Sequence, residues 1–344
     1  MIERTVLGPG YTISRLIKGG WHLAGGHGAV DRAQAIRDMA AFVDAGMTTF
    51  DCADIYTGVE ALIGDFFRAQ PTMRERVQVH TKFVPDLDKL ATLDRAYVGR
   101  IIDRSLRRLG VERIDLMQFH WWDWSVPGWL EAAGLLDELR IAGKIAGLAV
   151  TNFDTPHLAA LLDAGLPIVA NQVQYSVIDR RPEHGMGDLC ARHGVHLLCY
   201  GTLAGGFLGE DWLGRPEPQG LENRSHIKYK LIIDEFGGWS RFQGLLVALK
   251  AVAEARGATI GQVAMRWVLY RPRVAAAIVG ATSVRHLAEN AKLSTLRLSS
   301  ADLAAIEAAM VRAPGPKGDC FDLERDRDGR HGRIMKYNLN VADV

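Results

Sequence analysis

Four residues of this chain have the types and positions needed for proton chemistry at a carbonyl oxygen: Asp51, Tyr56, Lys82 and His120. Each stands at or just after the end of an apolar run, in Asp51-Cys52-Ala53-Asp54-Ile55-Tyr56, His80-Thr81-Lys82 and Gln118-Phe119-His120-Trp121-Trp122. An ammonium at the end of an apolar run needs a partner, because an unpaired buried Lys would lose its proton. Asp51, on the neighbouring run, is the natural counter-ion for Lys82. A free tyrosine has a pKa of ~10, and a Lys ammonium beside Tyr56 would lower it toward the general-acid range. His120 adds a neutral donor that can orient a carbonyl oxygen. Together these groups could protonate a carbonyl oxygen while a hydride arrives at its carbon. Taken singly, each has a bland reading: Asp51 a cap, Tyr56 a rim-packing ring, Lys82 a surface charge, His120 a satisfied core histidine. Four of them on three consecutive strand ends are much harder to explain that way. No metal site is expected, since His80 and His120 lie on different runs and no HxH or HExxH spacing occurs.

The elements that must carry these groups follow a repeating pattern. Helical stretches end at a glycine and a short Val/Ile/Leu-rich run follows, as at Ala40–Gly46 before Thr48–Cys52 and Ala159–Gly165 before Ile168–Ala170. Gly110, Gly143 and Gly194 hold the same place, where a left-handed residue stops a helix and turns the chain. The apolar runs read as buried strands near Ile13–Gly20, Thr48–Ala53, Val77–Phe83, Ile114–His120, Ile145–Val150, Ile168–Gln174, Val195–Tyr200 and Val274–Gly280. They are near-continuously apolar, as parallel strands covered on both faces should be. Helix starts fit too, with Asp31 before Arg32–Asp44 and Asp154-Thr155-Pro156 before His157–Leu162. In Arg100–Leu109 the apolar Ile102, Leu106 and Leu109 share one face, which leaves Arg100, Asp103, Arg104, Arg107 and Arg108 for solvent.

Eight such units predict an α/β fold, a single-domain (β/α)8 TIM barrel with a long loop after the seventh strand. A doubly wound sheet would need a GxGxxG turn after its first strand, which Gly25-Gly26-His27-Gly28 does not supply. The loop, roughly Leu208–Gln243, holds Trp212, Tyr229, Phe236 and Trp239 and belongs on the C-terminal face. The barrel is expected over residues 1–313, with 314–344 a charged C-terminal tail. Its charge run, Asp319–Arg333, reads as a solvated tail or as a cover on the substrate side.

Composition narrows the class. The 344 residues are 48% hydrophobic and 24% charged, ordinary for a globular protein, which excludes disorder and fibres. With 41 Lys+Arg against 40 Asp+Glu there is no electrostatic footprint for nucleic acid or an anionic membrane. The longest uncharged stretch, His193–Gly209, is too short and too broken to span a bilayer. Met1-Ile2-Glu3-Arg4 lacks a signal peptide's apolar core, and Cys52, Cys190, Cys199 and Cys320 show no pairing motif. A cytoplasmic enzyme with reduced thiols is expected.

On these residues the chain resembles the aldo-keto reductase superfamily, from about Val6 to Asn290. The family's Asp, Tyr, Lys, His tetrad, with its D-x-A-x-x-Y string, corresponds to Asp51, Tyr56, Lys82 and His120. The resemblance implies NAD(P)H-dependent, reversible reduction of an aldehyde or ketone. Hydride would come from nicotinamide C4 and the proton from Tyr56, with Lys82 lowering the pKa of Tyr56, Asp51 pairing with Lys82 and His120 positioning the carbonyl. It implies a cofactor site as well. Gly19, Gly20 and Trp21 would lie near the nicotinamide ribose, and Asp51 is counted among the contacts. Thr151, Asn152 and Gln172 would hold the carboxamide, with Tyr200 stacking on the nicotinamide ring. Gly201, Thr202, Leu203, Ala204 and Gly205 would form the pyrophosphate turn, and Gly280, Thr282, His286, Glu289 and Asn290 the adenosine segment. Where many members carry Lys-Ser and then Arg, this chain has Gly280-Ala281 and His286. That is similar to the branch containing the potassium-channel beta subunits, in which an Arg of the seventh loop, here Arg224, also reaches the adenosine. NADPH is the expected cofactor and NADH the alternative. Trp21, Ile55, Tyr56, His120 and Trp121 would line an aromatic pocket for a small-molecule carbonyl or alcohol. Two other functions stay open: an NADPH-sensing regulatory subunit with little turnover, and a Schiff-base aldolase built on Lys82, against which the pairing with Asp51 argues. Oligomeric state has no signature.

Overall fold

The structure, a computed structural model of the chain, describes residues 2–24, 30–280 and 283–340. Strands β1 (Arg4–Gly8) and β2 (Tyr11–Ser14) form an antiparallel hairpin. Eight further strands follow: β3 (Leu16–Gly19), β4 (Thr49–Asp51), β5 (Gln78–Phe83), β6 (Ile114–Phe119), β7 (Ile145–Thr151), β8 (Ile168–Gln174), β9 (His196–Tyr200) and β10 (Val274–Gly280). They pair in parallel and in order, and β10 closes on β3 to complete the barrel. Every apolar run expected as a strand is a barrel strand, and the chain is a (β/α)8 barrel in one domain. The first run is split, however. Its front half belongs to β2, and Arg15 breaks the strand there by donating to the carbonyls of Leu269, Val274 and Ala275. Leu7 and Ile13 of the hairpin pack with Ile17, Leu116, Ala149, Ala170, Leu198, Ala275 and Ala276, filling the barrel interior below the site.

The caps follow the local chemistry. Asp31 accepts from Gln34 N and Asp154 from His157 N, each opening its helix. Gly110 ends the helix Arg95–Leu109 at φ 67°, in the left-handed region that glycine enters without a Cβ penalty. Arg104 of that helix is buried rather than solvated, because Asn340 of the C-terminal segment accepts from it.

Two insertions shape the mouth of the barrel. The stretch expected as a loop after the seventh strand is largely helical: Asn223 caps a helix over Arg224–Phe236, and a second runs over Trp239–Arg256. Phe207, Trp212, Trp239 and Phe242 join these helices to the barrel in one aromatic cluster. The segment after Pro314 runs across the mouth of the barrel. Glu324 is fully buried and accepts from both terminal nitrogens of Arg181, which also donates to Asp179. Farther along, the backbone N–H groups of Leu339 and Asn340 both donate to Asp86. Residues 319–340 are therefore a strap fastened at both ends over the site.

Candidate active site

Asp51, Tyr56, Lys82 and His120 converge at the C-terminal end of the barrel, on the wall of a cavity of about 670 Å³. Asp51 is the last residue of β4, and its carboxylate is satisfied from three other strands, β5, β6 and β8. Lys82 Nζ donates to Oδ2 at 2.7 Å, while the side-chain amides of Gln118 and Gln172 donate to Oδ1 at 2.9 and 2.6 Å. Lys82 also donates to the Cys52 carbonyl at 2.9 Å. Burial alone would lower its pKa, but the Asp51 carboxylate outweighs that and holds the ammonium above its ordinary value. The same ammonium lies 4.9 Å from the centroid of the Tyr56 ring.

The electrostatics correct two expectations. Burial raises the Tyr56 pKa and the Lys82 ammonium opposes it only in part, so the phenol sits above its ordinary value rather than below. His120 is neutral, pushed down to about 3 by burial and by the field of Arg325. Its Nδ1 lies 3.1 Å from the Thr151 carbonyl oxygen, which can only accept, so the proton is on Nδ1. Nε2 then carries a lone pair, is buried, and has no protein partner. The imidazole presents an acceptor to the cavity, not the donor expected from its neighbours in sequence.

The second half of the cavity fits a dinucleotide. Asn152, at φ 60°, accepts from the Tyr200 hydroxyl at 2.8 Å and leaves its amide nitrogen on the cavity wall. Gln172 donates to Asp51 and to Gln118 and leaves its amide oxygen there. One donor and one acceptor side by side match a carboxamide, which has one of each. Gly201 and Gly205 have φ of 70° and 65°, and a Cβ on them would lie 2.5 and 2.7 Å from Tyr229 atoms. Neither position has room for a side chain, which lets backbone approach a ligand closely there. Thr202, Leu203, Gly19, Trp21 and Ile55 line the same cavity, as does Gly280, whose absent Cβ leaves room for His22.

Other expected residues lie elsewhere. Gly20 is away from the wall; its N–H donates to Asp51 O at 2.7 Å, and a Cβ there would strike that oxygen. Ala204 is buried behind its turn. His286, Glu289 and Asn290 stand outside the cavity, His286 Nδ1 3.2 Å from Glu289 Oε2, and Thr282 falls outside the described residues. Arg224 is on the wall, 5.9 Å from the Trp21 ring centroid and donating to the Ile334 carbonyl of the strap. Trp121 does not line the pocket: it is fully buried, with its indole N–H on the Asp123 and Val126 carbonyls. Trp122 lines it instead, its ring 4.3 Å from that of His120, because successive residues leaving β6 face opposite ways.

The sequence offered no sign of Gln118 as a ligand of Asp51, nor of the strap residues Phe321, Ile334, Met335, Lys336 and Leu339 on the wall. For the strap, a substrate-side cover was one of the two readings of the charge run, but which of its residues reach the wall was not visible, since its partners lie far away in sequence.

The model of the Aldo/keto reductase family matches residues 15–310. A 6-dehydroglucose reductase of Novosphingobium aromaticivorans is 30% identical over 314 residues, covering 87% of this chain and 92% of that protein. An NADH-specific methylglyoxal reductase of Escherichia coli is 27% identical, covering 85% and 93%. Flagellar radial spoke protein 5 of Chlamydomonas reinhardtii is 28% identical over 68% of this chain but only 55% of its own length. Among solved structures, the glycerol dehydrogenase of Gluconobacter oxydans superposes with a TM-score of 0.76 at 25% identity, covering 92% of this chain and 97% of that one. With the barrel, the Asp51, Tyr56, Lys82 and His120 constellation and a match spanning most of its length, the chain belongs to the aldo/keto reductase family.

Proposed function

We propose that this oxidoreductase reduces an aldehyde or ketone to an alcohol, reversibly, with NADPH. The single observation that carries the reading is Tyr56 beside an ammonium locked in its charged form by Asp51, opposite the orphaned Nε2 of His120. When bound, the reduced nicotinamide supplies hydride to the carbonyl carbon. The chain's own residues handle the proton and the positioning. Tyr56 gives its phenolic proton to the carbonyl oxygen, and Lys82 stabilises the phenolate left behind. His120 Nε2 accepts from the hydroxyl so formed, which holds the alcohol in place and suits the reverse reaction equally. Asn152 and Gln172 would grip the carboxamide, and Tyr200 would lie beneath the ring. Arg224, on the cavity wall, is the cation offered to the adenosine end of the cofactor and favours NADPH over NADH. Lys82 is not a Schiff-base nucleophile on this reading, because its pairing keeps it protonated.

The test is absorbance at the reduced-nicotinamide band, with NADPH and NADH in parallel, against aliphatic and aromatic aldehydes. Tyr56→Phe should lower turnover by about a hundredfold to ten-thousandfold and leave nucleotide affinity nearly unchanged. Loss of both together would remove Tyr56 from its assigned role. Nucleotide binding with no turnover on any carbonyl or alcohol would instead favour a cofactor-sensing protein.

A further inference from the structure

The wall of the cavity carries more positive charge than the tetrad needs. Among the described residues Asp51 is the only carboxylate on it and is taken by Lys82, which leaves Arg224, Lys228 and Lys336. Lys228 is the notable one. It projects from the helix Arg224–Phe236, is half-buried, and has its ammonium 5.0, 5.7 and 5.9 Å from the ring centroids of Tyr200, Tyr229 and Phe321. Aromatic faces attract a cation but cannot accept three N–H bonds. Among the described residues no carboxylate forms an ion pair with Lys228 and no oxygen accepts from it. The nearest candidates are engaged: Glu324 gives both oxygens to Arg181, and Asp179 is held by Arg181 and Gln174. Lys230, two positions on, shows the ordinary outcome, with Glu217 and Asp234 each 2.5 Å from its nitrogen.

The place of Lys228 says what it meets. Phe321 is the shared neighbour, its ring 5.5 Å from the His120 ring on one side and 5.9 Å from the Lys228 ammonium on the other. Lys228, Phe321, Tyr56 and His120 line one cavity, so the ammonium shares the pocket in which the carbonyl would sit, with Phe321 as the neighbour common to it and His120. Arg224 lies apart from it, against Trp21, and the glycine turn at Gly201–Gly206 offers backbone N–H groups for phosphates. We propose that Lys228 receives a carboxylate of the substrate, so that the physiological carbonyl compound is an oxo acid with its acid group on the strap side of the pocket. The proposal rests on the carbonyl-reductase reading above and names its substrate class. An anion could also come from the cofactor's phosphates, and the experiment separates the two.

Wild type, Lys228→Met and Lys228→Arg are compared on 4-carboxybenzaldehyde and on its uncharged methyl ester, with the Kd for NADPH measured alongside. The expected result is a preference for the acid of at least tenfold in kcat/KM in wild type. Lys228→Met should bring that ratio near one, chiefly through KM for the acid, and Lys228→Arg should keep most of it. A wild-type ratio near one would overturn the proposal. So would a tenfold rise in the NADPH Kd in Lys228→Met with the acid-to-ester ratio unchanged, which would assign the ammonium to the cofactor. If wild type reduces neither aldehyde, the reductase reading is what fails. The substrate proposal is then decided by calorimetry of 4-methylbenzoate against 4-methylbenzyl alcohol with the NADP-bound protein. Tighter binding of the benzoate, lost in Lys228→Met, supports the proposal, and equal binding overturns it.

Discussion

Tyr56 and His120 line the same cavity, and burial acts on both in the direction of neutrality. For Tyr56 that means a proton retained above the ordinary tyrosine range. Reduction uses the protonated phenol, so kcat/KM for an aldehyde should stay level through neutral pH and fall only as the pH rises through that elevated pKa. Oxidation of an alcohol uses the phenolate and should rise over the same interval. His120, pushed down to about 3, should contribute no limb near the ordinary imidazole value of ~6.5. Parallel pH profiles of the two directions check both points, and a reductive limb centred near ~6.5 would contradict the depressed pKa of His120. The identity of these groups was legible in the D-x-A-x-x-Y string and the strand-end Lys and His. The direction of the Tyr56 shift was not, because desolvation in the folded site outweighs a charge that is adjacent in the fold. The acceptor face of His120 was hidden as well, since the Thr151 carbonyl that fixes it comes from a neighbouring strand.

At the scale of elements, helix, glycine, strand punctuation marked five of the eight barrel strands, because each glycine's left-handed backbone is a local requirement, and apolar runs alone marked the other three. Interruptions set by distant partners were not visible. Arg15 breaks the first run only because three carbonyls around β10 lie within its reach. Trp121 and Trp122 look equivalent in sequence, and only the exact exit of β6 decides which one faces the cavity. The turn at Gly201–Gly206 allows a clean test of local against tertiary demands. Gly205 has φ 65° and Tyr229 at 2.7 Å from a would-be Cβ, whereas Gly214 has φ 75° and nothing within 4 Å. Changing either to Ala should cost about 1 kcal/mol for the left-handed backbone alone. Gly205→Ala should lose more, because Tyr229 must move, and should weaken nucleotide binding severalfold while Gly214→Ala leaves it alone. Thermal melts and nucleotide titrations of the two variants measure this, and equal losses would mean that the close approach of Tyr229 is immaterial.

For the molecule as a whole, the question is what holds a charged segment over an apolar pocket. Residues 319–333 carry so many charges that a solvated tail was a fair reading of the sequence, but Arg181, the partner that buries Glu324, lies 143 positions away. That pair fastens one end of the strap, Asp86 fastens the other, and between them Phe321, Ile334, Met335 and Leu339 roof the pocket. Burial would raise the Glu324 pKa, but Arg181 outweighs it and holds the carboxyl down at about 2. A group depressed in the fold stabilises it above its unfolded pKa, ~4.3 for Glu, and loses that contribution as the pH falls toward the folded value. The strap should thus stay closed at pH 3, where a free carboxyl is already protonated, and loosen only near pH 2. Glu324→Gln removes one carboxylate from a buried cluster and should cost on the order of 3 kcal/mol at neutral pH. It should also flatten the stability profile between pH 4.5 and 2, an interval set by the ordinary and the depressed values. Because the strap is fastened at two points rather than woven into the sheet, hydrogen exchange in Glu324→Gln should speed up over residues 319–340 while β3 to β10 keep their protection. Exchange that rises uniformly through the barrel would show that strap and barrel unfold as one unit.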